Sequence, residues 1–245
     1  IRQVLQEESD ALRAYYEQAG ILIARPAGGT SCRLAISAKG GTNAENHNHN
    51  DVGSYAVALG SETMVGDQGG PNSYPGDYFN GDAPQKYKIK GSFGHPVPVV
   101  DGRTQSSGGK AKGVVLQKEF TNEKDVFSID YTSAYSTPNL DKLIRTFVYD
   151  RQGKGSFTVG DEFTAKTPIR FETAITTRAD WKVLDDTHLL LATDSEQMIV
   201  AIDASGKVAF TSETIEVNSP AYTRIGIALK NQSKEGYIRL KMYTK

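Results

Sequence analysis

Over the first twenty residues apolar positions recur at helical spacing. Leu5, Leu12 and Tyr16 fall on one face, charged residues fill much of the rest, and Gly20 stands where a helix-ending residue belongs. The pattern predicts a short helix over residues 1–20. After Gly20 the period becomes two. "ILIARP" and "CRLAISAKG" read as short strands around the loop "AGGTS". From there on β-branched and aromatic segments alternate with turn clusters. "LIRTFVYDRQGKGSFTVGDEFTA", "QMIVAIDASGKVAFTSETIEV" and "RIGIALKNQSKEGYIRLKMY" each predict a hairpin, the last around Asn231 to Gly236. Strands without intervening helices imply an all-β fold: a large antiparallel β-sandwich of stacked sheets over residues 21–245, behind a short N-terminal connector helix. No internal repeat and no linker rich in Pro or Ser interrupts it. The one long irregular region, Gly66 to Gly94, is dense in Gly, Pro, Asn and Tyr. A loop of that length in a compact domain is functional or disordered.

Composition narrows the chemistry. A chain of 245 residues buries a substantial core. With 28 basic and 29 acidic residues spread along it, the net charge of −1 leaves no footprint for nucleic acid or an anionic membrane surface. Cys32 is the single cysteine, so an internal disulfide and a cysteine-built zinc site are both excluded. Any metal must bind His, Asp or Glu. No apolar run is long enough to span a membrane and no signal peptide is visible. The chain starts at Ile1 without a methionine, and it reads as a piece of a longer protein.

Three of the four histidines lie between positions 47 and 95. In an extended strand His47 and His49 of "AENHNHNDVGSY" share a face. Asp67 follows the strand-like "ETMVGD" and His95 begins "HPVPVV", so both arrive beside His49 if those strands pair in one sheet. Two imidazoles and a carboxylate suit zinc, with manganese or iron as alternatives. His188, in "DDTHLLLAT", has no such companions and reads as structural. A cupin-like metalloenzyme also uses H-x-H, but it needs a Glu four or five residues later, where this chain has Gly53 and Ser54.

The blocks "GGTNAENHNHNDVGSYAVALGSETMVGDQGGPNSY", "FGHPVPVVDGRTQ", "DYTSAY" and "LIRTFVYDRQG" occur in an order that resembles the C-terminal β-sandwich domain of heparinase II/III-like polysaccharide lyases, which alginate and oligoalginate lyases share. The resemblance runs from about Tyr16 to about Asp180. It implies one structural zinc ion held by His49, Asp67 and His95, and it turns His47 toward the substrate cleft. It also implies a lyase acting on a uronic-acid glycan, working in the periplasm or outside the cell. The main tyrosine acid or base would lie in an N-terminal α/α toroid. This chain carries no such toroid, and residues 1–20 would be the connector leading from it.

The implied reaction is β-elimination: a base removes the C5 proton beside the carboxylate, and the 4-linked oxygen leaves. The carboxylate must then carry further negative charge, which donors have to offset as it develops. His47 would act as such a donor or as the base, and Asn46 would bind substrate or orient the ring. Tyr87, in "QKYKIKGSFGH", stands nearest the place where some alginate-acting relatives add a second tyrosine, with Tyr74 and Tyr78 as competitors. A piece bearing half a site is expected to be inactive alone. The contrasting reading is a non-catalytic carbohydrate-binding sandwich.

Overall fold

The computed structural model describes residues 11–67, 69–217 and 219–245. Among these residues nineteen strands form four antiparallel sheets, so the all-β expectation holds. One sheet runs β1 (Arg13–Tyr16), β2 (Ile21–Ala24), β3 (Leu34–Lys39), β5 (Tyr55–Leu59) and β6 (Glu62–Val65). The largest orders β14 (Asp180–Asp185), β15 (His188–Ala192), β16 (Gln197–Ala204), β19 (Ser233–Thr244), β12 (Ser156–Ile169), β11 (Leu140–Asp150), β10 (Lys124–Asp130) and β9 (Val114–Phe120). A four-stranded sheet orders β17 (Val208–Val217), β18 (Ser219–Leu229), β13 (Phe171–Thr177) and β7 (Val99–Val100), and β4 (Thr42–Asn43) pairs with β8 (Gly108–Lys112).

Period-two patterning builds the layers, because alternate residues of a strand face opposite sides. Leu34, Ile36 and Ala38 of β3, Val57 and Leu59 of β5, and Leu143, Phe147 and Tyr149 of β11 all point into one continuous core. Tyr55 bridges the layers, with its ring 6.3 Å from Phe147 and 5.9 Å from Phe157. Phe163 stacks on Phe171 at 4.6 Å and joins the four-stranded sheet to the same core.

Three expectations are corrected. Residues 1–10 of the predicted helix lie outside the described residues, but residues 13–16 form β1, paired in register with β2. Long-range packing overrides the helical spacing here. Tyr15 meets Phe120 and Phe127 edge-on at 5.6 and 5.7 Å, Arg13 pairs with Asp125, and Tyr16 is left 55% exposed. The hairpin expected from Leu143 to Ala165 is present, within β11–β12. The other two are not hairpins: β16 bonds to β15 and β19, whereas β17 bonds to β18, so the turn at Ser205–Lys207 crosses from one sheet to the other. The segment after Leu229 crosses back to β19.

The irregular region from Gly66 to Gly94 folds as a chain of turns around one helical turn, α1 (Ala83–Lys86), and a 3-10 turn at Ser92–Gly94. A second small core of Tyr78, Ile89, Ile215 and Tyr222 pins it to the four-stranded sheet.

Candidate metal centre and cleft

The histidine pair does not sit on a strand. Residues 44–54 form a loop, and His47 takes the left-handed backbone conformation at φ 58°, which breaks the alternation that would turn both rings one way. The rings part company: His47 is exposed and lies against Phe79 at 4.8 Å, whereas the His49 ring lies 5.2 Å from that of His95.

His49, Asp67 and His95 come together as expected, each offering a ligand atom within 4.8 Å of the others. They reach one another from the seams between sheets, not from one sheet. Asp67 follows β6, whose end is tied to β13 by Thr176 and Thr177 donating to the Gly66 and Met64 carbonyls. His95 follows the 3-10 turn, because Pro96 and Pro98 keep regular pairing from starting before Val99. The Gly69 amide fixes the Asp67 carboxylate at 2.9 Å, and the Tyr222 hydroxyl holds the Gly94 carbonyl at 3.0 Å.

These residues fit a divalent metal. His95 is fully buried and lies 3.3 Å from Asp67 Oδ2, yet neither ring nitrogen has a hydrogen-bond partner. Buried polar atoms normally find one. Two imidazoles and one carboxylate are a zinc donor set, and the hydroxyl of Tyr78, 3.1 Å from His49 Nε2, orients the ring as outer-shell partners of ligating histidines do. Burial, with His95 alongside, pushes the His49 imidazole down to about 4, so it is neutral and available to a cation at pH 7. Burial acts to raise Asp67, but the His95 ring outweighs it and holds the carboxyl well below the usual range. Burial likewise acts to lower His95, and Asp67 outweighs that, so His95 is raised.

Beside this centre opens a cleft of 390 Å³. Asn43, Asn46, Asn48, Asn50 and Asn80 line it with His47, Lys90 and Ser107, and Phe79 and Pro84 supply apolar surface. No carboxylate is among its lining residues. Two of the expected substrate-facing residues, His47 and Asn46, are therefore in the cleft. Tyr87 is not among its lining residues. Its hydroxyl donates to Asp77, a bond that raises its pKa, and its ring packs against Tyr78 at 5.4 Å. Tyr78 is likewise turned to His49 and pushed up to about 12 by burial. A larger groove of 610 Å³ lies on the eight-stranded sheet around Phe163 and Tyr237, with no histidine in it.

The loop that carries both histidines is held from behind by residues that no local pattern marks. Arg145 is fully buried on β11, donates to the carbonyls of Gly53 at 2.7 Å and Pro96 at 2.8 Å, and so ties the stretch after His49 to the stretch after His95. Gln105 accepts from Asn43 at 3.0 Å and the Val52 amide at 3.1 Å while donating to the Val52 carbonyl at 2.7 Å. Gly53 follows in the left-handed region at φ 88°, where a Cβ would press on the Tyr131 ring.

Compared by sequence, the chain matches no protein-family profile and no curated protein. By structure it superposes on heparinase III with a TM-score of 0.73 over 95% of its length, at 17% identity. It superposes on the heparan sulfate lyase HepC of Pedobacter heparinus with a TM-score of 0.75 over 96%, at 14% identity. The fold is a heparinase-like β-sandwich. The chain spans 36% and 37% of those two proteins, so it corresponds to a part of each. Among the described residues no helix is long and apolar enough to cross a membrane.

Proposed function

We propose that this chain is the β-sandwich part of a polysaccharide lyase that cleaves uronic-acid-containing glycans by β-elimination. The observation that carries the reading is the division of labour within "HNH" on a heparinase-like sandwich: His49 joins Asp67 and His95, while His47 enters a carboxylate-free cleft. His47, with Asn46 beside it, would meet the uronate carboxylate and its C5 proton as donor or base. Phe79 offers the flat apolar surface on which a sugar ring rests.

A zinc ion held by His49, Asp67 and His95 would tie the two loops together and leave the elimination to the side chains in the cleft. His49 is two residues from His47, so fixing it fixes the cleft histidine's backbone. Among the described residues no tyrosine lines the cleft, and the chain's coverage of only 36% and 37% of the similar lyases supports a second domain of the same protein completing the site, of the toroid type that the resemblance implies. The resemblance also supports a periplasmic or secreted setting and leaves heparan-type and alginate-type uronates as the substrates to try.

The test uses the full-length protein. Metal analysis is expected to find one zinc per chain, lost in His95→Ala. Incubation with uronic-acid glycans should generate the ultraviolet absorbance of an unsaturated product. Binding of these glycans without that absorbance would favour a carbohydrate-binding sandwich instead.

A further inference from the structure

We infer that Lys90 supplies, beside His47, the positive charge that recognises the substrate's carboxylate, so that the cleft selects anionic over neutral sugars. This rests on the glycan reading above and names the group that gives it specificity.

Lys90 is the one lysine or arginine among the cleft's lining residues. It is only 6% exposed, whereas lysines are almost never buried without a partner of opposite charge. Among the described residues no carboxylate lies within ion-pairing distance of it. Its ammonium donates to the Tyr78 carbonyl and otherwise lies over two aromatic faces, 4.9 Å from the Tyr78 centroid and 5.0 Å from that of Phe79. An ammonium has three donors, and one carbonyl uses one of them.

Lys39, another cation near the histidine loop, differs in this respect: Asp51 at 2.6 Å and Glu45 at 3.7 Å already answer its charge. Lys90 is also firmly placed. Its amide donates to the Tyr87 carbonyl and its carbonyl accepts from the Asn50 amide, both at 2.9 Å. The Phe79 ring lies near both the Lys90 ammonium, at 5.0 Å, and the His47 ring, at 4.8 Å. A sugar in contact with Phe79 would thus find His47 and an unanswered positive charge within one residue's reach. A carboxylate entering there gains a charge-assisted hydrogen bond and gives a buried cation its missing partner.

The experiment measures binding by the full-length protein of desulfated heparan and alginate oligosaccharides, each beside its carboxyl-reduced form. Wild type should bind at least one acidic form about tenfold or more tightly than its reduced counterpart, a difference of about 1.4 kcal/mol. Lys90→Met should abolish that preference and leave affinity for the reduced form unchanged, and Lys90→Arg should retain it. Equal losses for both forms in Lys90→Met would assign Lys90 to packing of Tyr78 and Phe79 and overturn the inference, as would a wild type without preference. Cleavage by a wild type whose acid preference survives in Lys90→Met would overturn the inference while leaving the lyase reading intact. A Lys90-dependent preference without cleavage would do the reverse.

Discussion

Arg145 and Asp161 meet in a buried two-bond pair, Nε to Oδ1 at 2.7 Å and Nη2 to Oδ2 at 2.6 Å, on adjacent central strands of the eight-stranded sheet. The carboxylate also accepts from Tyr131 and Thr173, each at 2.7 Å, so neither charge is left with an empty bonding direction on that side. The remaining guanidinium nitrogen reaches the stretches after His49 and after His95.

Arg145→Met is expected to destabilise the chain by about 3–5 kcal/mol, because it strands a buried carboxylate and frees two loop carbonyls. Denaturant unfolding measures it. The double variant with Asp161→Leu should recover part of the loss, since no uncompensated charge then remains.

His47→Asn should separate fold from chemistry. Asn tolerates the left-handed conformation that His47 adopts at φ 58°, so stability is expected to stay within about 0.5 kcal/mol of wild type. Lyase activity of the full-length variant should fall by roughly 10²–10⁴, the range for loss of an acid–base group. Activity at the wild-type rate would remove His47 from the reaction.

Tyr78→Phe deletes the hydroxyl 3.1 Å from His49 Nε2 and little else. Zinc affinity, read by competition with a chromogenic chelator, should weaken about 10- to 100-fold, as for other partners that orient a ligating histidine. Unchanged affinity would show that the hydroxyl does not orient the ring.

In chelator-treated protein His49 should make stability depend on pH. Its folded value is lowered from 6.5 to about 4, so the folded state refuses a proton that the unfolded state accepts. Stability from this group is present above pH 6.5 and is lost as pH falls toward 4, by at most about 3 kcal/mol. His95 is raised, and its contribution is already complete below 6.5, while Asp67 titrates only at lower pH. The slope between pH 6.5 and 4 should therefore flatten in His49→Gln relative to wild type.

The strands were legible in the sequence because a half-buried strand writes its burial as alternation, as in "LAISAK". Their partners were not. The turn "ASGK" has ordinary hairpin composition, yet it sends β17 to a different sheet from β16, and nothing local distinguishes the two outcomes. The same limit applies at the N-terminus, where Arg13 and Tyr15 become strand residues through Asp125, Phe120 and Phe127, more than a hundred positions away. The clustering of His49, Asp67 and His95 was legible because their residue types are scarce and chemically matched. Lys90 and Arg145 were not, since their roles come from what buries them: Lys86 and Lys88, at the same alternate spacing, are exposed.

The crossing at Ser205–Lys207 and the return after Leu229 bear on how the molecule is made. β12 and β16 flank β19 in the middle of the largest sheet, so between them lies a gap that only residues 233–244 can fill. As the polypeptide emerges from the ribosome, the two flanking strands must wait, their inner edges unsatisfied, until those late residues arrive. Synthesis thus leaves a window in which chaperone capture or intermolecular strand exchange competes with closure.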